Sequence, residues 1–345
     1  MGWGKHNQWN LKGKGGNNLM AASNGTEAVD LDQLFSPPTR DEITAVRAEW
    51  MSRDINPYNA VVIKNGVLAG HYCELIRHDN EHYYFLRYPS DYTPGNQYPL
   101  LVWNHPGYDG VDVMVLNWFD YTFLTTEYMK RNYFYAVPAY RGESIFIPTW
   151  GLYQSGGQPS KADWEVDDIL KMMNYTVASY PVSKVYLYGQ SRGGTVTLLT
   201  VIRWALKGND AERLAELFGG TNGFLDYIKQ DCMAYLSSST LPVDKVSCLV
   251  IQEALIPWTQ QSIDLQEARH RILKRSPTLF AKWLPPVSLH HGGQDVLVNP
   301  QHSVSLDVKL AAYGTLHEYI PYPGGSHDPN TLAGCGAYVE NWLTL

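Results

Sequence analysis

Val185-Tyr186-Leu187-Tyr188-Gly189-Gln190-Ser191-Arg192-Gly193-Gly194 reads as a short apolar strand, a serine framed by glycines and the first turn of a helix, in that order. A G-x-S-x-G frame between a strand and a helix is the nucleophile elbow, a turn that lifts a serine hydroxyl above the end of a sheet. The turn holds its serine in a strained backbone conformation, so positions two before and two after must be small; Gly189, Gly193 and Gly194 meet that demand. It also aims the Arg192 N–H and the positive end of the following helix at the place where an oxyanion would form. The strand before and the helix after separate this match from a five-residue motif met by chance.

A hydroxyl is a weak nucleophile until a base takes its proton, so the elbow predicts an acid and then a histidine further along the chain. Pro286-Val287-Ser288-Leu289-His290-His291-Gly292-Gly293-Gln294-Asp295 is a strand running into a turn, with Asp295 at the strand end. Tyr319-Ile320-Pro321-Tyr322-Pro323-Gly324-Gly325-Ser326-His327 is a last strand running into a glycine loop that carries His327. His290 and His291 precede the acid and His317 precedes the last strand, so all three rank below His327 as the base. A second oxyanion donor is expected in the loop after the buried strand Leu100 to Asn104, which reads His105-Pro106-Gly107-Tyr108-Asp109-Gly110. Gly107 or Tyr108 can offer an N–H there, and the Tyr108 hydroxyl is a further option; Pro106 has no N–H to give. In Tyr140-Arg141-Gly142-Glu143, Arg141 is expected to pair with a buried carboxylate rather than to face substrate.

Around these motifs the chain alternates strand and helix signals. A polar, glycine-rich arm ends at Ser36-Pro37-Pro38, its first 25 or so residues expected to be loosely held, and a short amphipathic helix follows from about Arg40 to Met51. Antiparallel strands are expected next: Val61 to Ile63, a turn at Asn65-Gly66, then His71 to Arg77 and Glu81 to Tyr88 flanking a hairpin turn at Asp79-Asn80. After the strand Leu100 to Asn104 come helix (Leu116 to Arg131), strand (Tyr133 to Tyr140), helix (Asp163 to Ser179), strand (Lys184 to Tyr188) and helix (Gly193 to about Leu206). A helical stretch from Asp210 to Tyr235 and a strand at Cys248 to Leu255 follow. The alternation predicts a mostly parallel sheet with helices on both faces. Residues 1–60 form the arm and short helix, 61–345 the catalytic domain, and about 207–282 a small helical lid inserted over the site.

The motifs together resemble the catalytic domain of the prolyl oligopeptidase family of serine peptidases and its dienelactone-hydrolase-like esterase relatives. The likeness rests on residues 140–143, the elbow at 189–194, Arg275-Ser276-Pro277, the turn His291 to Asp295 and the loop Tyr322 to His327. It implies an α/β-hydrolase fold, a triad of Ser191, Asp295 and His327, and an oxyanion hole from Arg192 with Tyr108 or Gly107. The large β-propeller that usually precedes this domain in the peptidases has no room before the first strand, expected at Val61. The family's HGG-type oxyanion loop is His105-Pro106-Gly107-Tyr108 here. The chemistry expected is hydrolysis of a small peptide or ester substrate through an acyl-enzyme. The peptidase is the first reading, a carboxylesterase or lactonase the alternative, and a catalytically silent binding protein the remaining one, disfavoured by an intact triad.

Of 345 residues, 44% are apolar and 18% charged, with a formal charge of −7, which suits a globular chain without affinity for nucleic acid or anionic lipid. Cys73, Cys232, Cys248 and Cys335 show no C-x-x-C pair and no spacing with histidine that suits zinc, and read as reduced buried thiols. No metal or organic cofactor is implied. The start, Met1 to Asn18, lacks the apolar core of a secretory signal and no stretch is long enough to span a membrane, so cytoplasmic residence is expected. The residues specify no oligomeric state.

Overall fold

In the protein's computed structural model, residues 29–108, 110–112, 127–208, 213–218 and 226–343 are described. Most of the glycine-rich arm (1–28) and most of the helix expected from Leu116 lie outside them. Leu31 onward forms one compact unit.

The frame is a nine-stranded sheet in the order β1-β2-β3-β6-β4-β9-β10-β11-β12. Its strands are β1 (Val61–Leu68), β2 (His71–His78), β3 (His82–Arg87), β4 (Tyr98–Asn104), β6 (Phe134–Pro138), β9 (Val182–Gln190), β10 (Arg213–Phe218), β11 (Val287–Gly292) and β12 (His317–Tyr322). The pairings from β1 to β6 are antiparallel and those from β6 across to β12 are parallel. A second sheet joins β5 (Val111–Asp112), β7 (Ser144–Ile147) and β8 (Gly151–Gln154).

The parallel strands read as continuous apolar runs because both of their faces are covered. In β4, Leu100 and Val102 face one core and Leu101 and Trp103 the other; in β9, Val185 and Leu187 oppose Tyr186 and Tyr188 in the same way. The first core takes Val46 and Trp50 of α2 (Arg40–Ser52) and Ile169 and Met173 of the later helix Trp164–Ser179. It also takes Leu199 and Ile202 of the helix that follows the elbow, and Leu306 and Leu310 of a helix near the C-terminus. The second is closed by Met129 of α3 (Glu127–Asn132) and by Val339 and Leu343 at the end of the chain. Helix α1 (Leu31–Leu34) precedes α2. Further helices among the described residues include α4 (Trp164–Ser179), α5 (Arg192–Leu206), α6 (Asp226–Ser238), α7 (Lys245–Val250), α8 (Leu265–Leu273), α9 (Gln301–Tyr313), α10 (Cys335–Leu343) and a 3-10 helix at Pro277–Trp283.

Helix α2 starts where the capping signal puts it, with Thr39 and Glu42 bonded reciprocally. It packs into the core: Trp50 is buried, and Arg53 beyond the helix end bonds Asp163 at 2.7 Å and Asp167 at 2.8 Å. Arg203 of α5 shares both carboxylates and Lys274 joins Asp163 at 2.8 Å. A buried charge is tolerated only when paired, and this network pairs every member.

Three local expectations fail. Strand β1 runs straight through Asn65 and Gly66, which pair with Glu74 and Cys73; the chain reverses at Ala69-Gly70, where both residues take positive φ. The stretch from Asp210 to Tyr235 is not one helix, since Arg213–Phe218 is β10, hydrogen-bonded between β9 and β11. Sheet pairing here overrides helix-favouring local composition. Conversely, Cys248 to Leu255 is no strand: α7 continues through a π turn, Ile251–Leu255, and a last turn, Ile256–Thr259. A short apolar run does not tell buried helix from buried strand. The region 207–282 therefore contributes a sheet strand as well as helices. The hairpin at Asp79-Asn80 forms as expected, both residues at positive φ.

Several paired or buried groups resist protonation. Glu42 is held down at about 2 chiefly by its hydrogen bond from Arg269, and Glu49 at about 2 chiefly by His270. Burial pushes His105, His290 and His302 down to about 3 and His82 to about 4. In the unfolded chain the histidines take protons below about pH 6.5 and the carboxylates below about 4.3, while the folded protein does not. Both effects have the same sign. Stability to urea should therefore be greatest above about pH 6.5, decline towards pH 5 and fall further below 4.3; a midpoint unchanged between pH 7.5 and 4.5 would contradict this.

Candidate active site

Ser191 sits at φ 55° and ψ −123°, a backbone conformation rarely adopted by residues other than glycine, between the end of β9 and the first turn of α5. The sharp turn brings the helix start against the end of β4: a Cβ placed at Gly193 would overlap the carbonyl oxygen of Asn104. The elbow is thus packed directly on the loop expected to supply the second oxyanion donor. Side chains reinforce the approach, as Asn104 Nδ2 donates to Thr197 Oγ1 of α5 at 2.8 Å.

Arg192 carries two jobs. Its N–H, at the first position of α5, belongs to the donors that a helix leaves without an intrahelical partner. Its buried guanidinium forks onto Glu143, at 2.6 and 2.9 Å, and lies over the rings of Tyr108 (4.2 Å) and Tyr140 (4.5 Å). Glu143 also accepts from Gly110 N at 3.2 Å, and Tyr140 Oη donates to the His105 carbonyl at 3.2 Å while its ring stacks on the His105 imidazole. The loop 105–110 is therefore gripped from both sides. Gly107 within it takes φ +74°, and Tyr108 is partly exposed beside Arg192.

Asp295 follows β11 and is buried. Its Oδ1 accepts from Leu297 N and Val298 N at 2.9 Å each, and its Oδ2 accepts from His327 Nδ1 at 2.8 Å. His291 Nε2 lies 3.4 Å from the same oxygen and donates to the Val298 carbonyl at 3.0 Å. Burial by itself would raise the Asp295 carboxyl; the bonds from His291, His327 and the Val298 N–H outweigh it and hold the group well below the usual carboxylate range. The acid turn and the histidine loop meet backbone to backbone. A Cβ on Gly292 would overlap the Ser326 carbonyl, and Gln294 N donates to Gly325 O at 2.8 Å.

The structure thus joins Asp295 to His327 directly and Arg192 to Tyr108 by ring contact, and sets Ser191, Asp295, His327 and the loop after Asn104 beyond the C-terminal ends of β9, β11, β12 and β4, all on the same side of the parallel strands. Among the described residues no hydrogen bond links Ser191 to His327; such bonds often tighten only when substrate is bound. The rival histidines have other work. His290 bonds Ser288 and Tyr322, His291 supports the acid, and His317 lies 3.1 Å from Asp307. Arg141 forks onto Asp168 at 2.9 and 2.8 Å, as expected. Reading the sequence missed the roles of Glu143 and His291; each stands in a motif beside a site residue, but their partners are distant in sequence.

One cluster of metal-ligand type occurs among the described residues: Asp79, His82 and Asp168. Asp168 is already forked by Arg141 and Asp79 is bonded by Lys171, so both carboxylates carry a cation from the chain itself.

This arrangement of elbow, carboxylate and histidine at the strand ends is carried by the α/β-hydrolase fold. Within it, residues 44–210 match a family described as steryl acetyl hydrolase. The chain is similar in structure to acetyl xylan esterase 1 from a Thermoanaerobacterium species (TM-score 0.59, 12% identity, 92% of this chain and 98% of that one). It is also similar to an acylaminoacyl peptidase from Pyrococcus horikoshii (0.51, 12%, 82% and 49%) and to a puromycin-hydrolyzing peptidase from Mycobacterium tuberculosis (0.50, 16%, 76% and 36%). The chain thus spans about half or less of either peptidase. No curated protein matches it in sequence.

Replacing Gly193 with Ala should cost about 1–3 kcal/mol by overpacking the elbow against Asn104 and should abolish hydrolysis. Urea unfolding and a p-nitrophenyl ester assay read the two effects; a variant matching the native protein in both would refute the close approach.

Proposed function

We propose that this protein hydrolyses carboxylic esters with a small acyl group, acetyl above all, through an acyl-enzyme on Ser191, with His327 as base and Asp295 as its orienting acid. The observation that carries the reading is the 2.8 Å bond between His327 Nδ1 and Asp295, formed at the sheet edge where the strained elbow presents Ser191. With Nδ1 donating to the carboxylate, Nε2 of the imidazole is left as the proton acceptor. Ser191 attacks the ester carbonyl as His327 takes its proton. The resulting oxyanion is held by the Arg192 N–H and by an N–H of Gly107 or Tyr108. His327 returns the proton to the leaving alcohol, and water then releases the acid by the same steps in reverse order of roles.

The preference for an ester over a peptide bond is supported by the steryl acetyl hydrolase description of the family matched over 44–210 and by the likeness, along nearly the whole of both chains, to an acetyl xylan esterase. The helices from Asp226 to Trp283 are read as the lid. On and just after α6, Met233 (55% exposed), Leu236 (41%) and Val243 (61%) are exposed apolar side chains. Peptide-bond cleavage is the second reading, supported by the likeness to the acylaminoacyl peptidase.

A side-by-side assay on p-nitrophenyl acetate, butyrate and octanoate and on aminoacyl p-nitroanilides, with Ser191→Ala as blank, decides between them. Acetate turnover should exceed that of the anilides, and Ser191→Ala should lose about 10⁴-fold or more. Anilide cleavage as the dominant activity would replace the ester reading, and an active Ser191→Ala protein would remove the triad.

Because Asp295 stays charged far into acid, only one proton, on the base, should govern the acid side of the pH profile. The acid limb of log kcat/KM should fall with a slope of one. A slope of two would mean that the acid titrates with the base.

A further inference from the structure

The turn that carries Asp295 is held from outside by the helix that opens the segment between α6 and α8. Asp244, the N-cap of α7, accepts from Val246 N at 3.0 Å and Ser247 N at 2.8 Å through Oδ1. Its Oδ2 faces away from the helix and accepts from Asn299 N at 2.8 Å. The next residue adds a parallel tie, Lys245 N donating to the Leu297 carbonyl at 2.8 Å. Leu297 and Val298 are the residues whose N–H groups fix Oδ1 of Asp295, and Oδ2 of Asp295 holds His327. Three peptide units thus lie between one carboxylate and the other. An N-cap needs only one oxygen, so the second oxygen of Asp244 is spent on the acid turn.

We infer that Asp244 is a positioning residue: together with the Lys245 N–H it seats α7 on the turn 295–299 and so sets the orientation of Asp295 and, through it, of His327. The inference rests on the triad reading above. Neither group touches substrate. Their effect is on the aim of the imidazole, where a misplacement of about 1 Å can cost about 100-fold in rate. Any displacement of α7 is therefore felt at the acid.

Two substitutions separate this role from plain helix capping. Asp244→Asn keeps a good N-cap, since Asn caps as well as Asp, but sets an amide N–H against the Asn299 N–H. Lys245→Pro removes only the bond to Leu297, because proline is favoured at the first position of a helix and Asp244, at φ −61° and ψ 124°, already has the extended backbone that precedes one. Both proteins should keep the native thermal midpoint within a few degrees. Both should lose about 10-fold to 100-fold in kcat on p-nitrophenyl acetate, with KM unchanged, and be labelled correspondingly slower by a fluorophosphonate. Asp244→Ala, which removes cap and tie together, should lose thermal stability as well. Full kcat in Asp244→Asn and Lys245→Pro, beside an inactive Ser191→Ala protein, overturns the inference and leaves the triad standing. An active Ser191→Ala protein would instead overturn the triad itself.

Discussion

Everything at this site depends on how closely the first turn of α5 approaches the end of β4. The elbow can be sharp enough to expose Ser191 only if Gly193 lies against the Asn104 carbonyl with no side chain between them. That approach decides which loop neighbours the serine, which N–H groups converge above it, and where Arg192 must send its long side chain. With the helix start against β4, the guanidinium is driven inward between Tyr108 and Tyr140, where a cation is tolerable only with a carboxylate to meet it. Glu143 answers that need with a two-point bond and adds a grip on Gly110. The salt bridge is a consequence of the elbow, and the loop after β4 is held in turn by the salt bridge.

The division between what the chain discloses and what it hides follows the range of the forces. The placement of Ser191, Asp295 and His327 after strand ends, and the meeting of the last two, were legible because each lies beside glycines that follow a strand. The antiparallel start of the sheet, the Asp79-Asn80 hairpin and the capped start of α2 were legible from local turn and cap chemistry. Arg213–Phe218 was not: what makes it a strand is pairing with Val185–Gln190 on one side and Val287–His290 on the other, which no local window contains. Ile251–Leu255 failed in the opposite sense, since Ile251, Ala254 and Leu255 are buried on a helix whose start is set by Asp244. Asn65-Gly66 has the composition of a turn yet lies in mid-strand, and the reversal falls at Ala69-Gly70. For partners such as Glu143 to Arg192, and Asp163 and Asp167 to Arg53, separation along the chain hid what the fold brings together.

The loops at the active edge share one solution to a common problem. They must be irregular to project functional groups, so their peptide N–H groups find no ladder partner, and buried N–H groups need an acceptor. Carboxylates supply it repeatedly: Asp295 for Leu297 and Val298, Asp244 for Asn299, Glu143 for Gly110, and Glu165 for Ala162 and Asp163. The last of these holds Lys161 and Ala162 at positive φ, with Arg275 bonding the carbonyls of Ser160 and Lys161 from the other side. A carboxylate suits this work because two oxygens can accept several bonds at once, and because each bond from an N–H keeps it ionised.

The same economy explains why Asp295 is so strongly fixed. An aspartate that only held His327 would need one oxygen, and burial would push it towards the neutral form that cannot stabilise an imidazolium. By spending the other oxygen on its own turn, and by drawing on His291 beside it, Asp295 remains an anion in a buried setting. The turn that keeps it charged is in turn bonded to α7 through Asp244 and Lys245. Charge state and geometry of the acid are thus maintained by the same few peptide groups, so that a change which loosens the turn acts on both together.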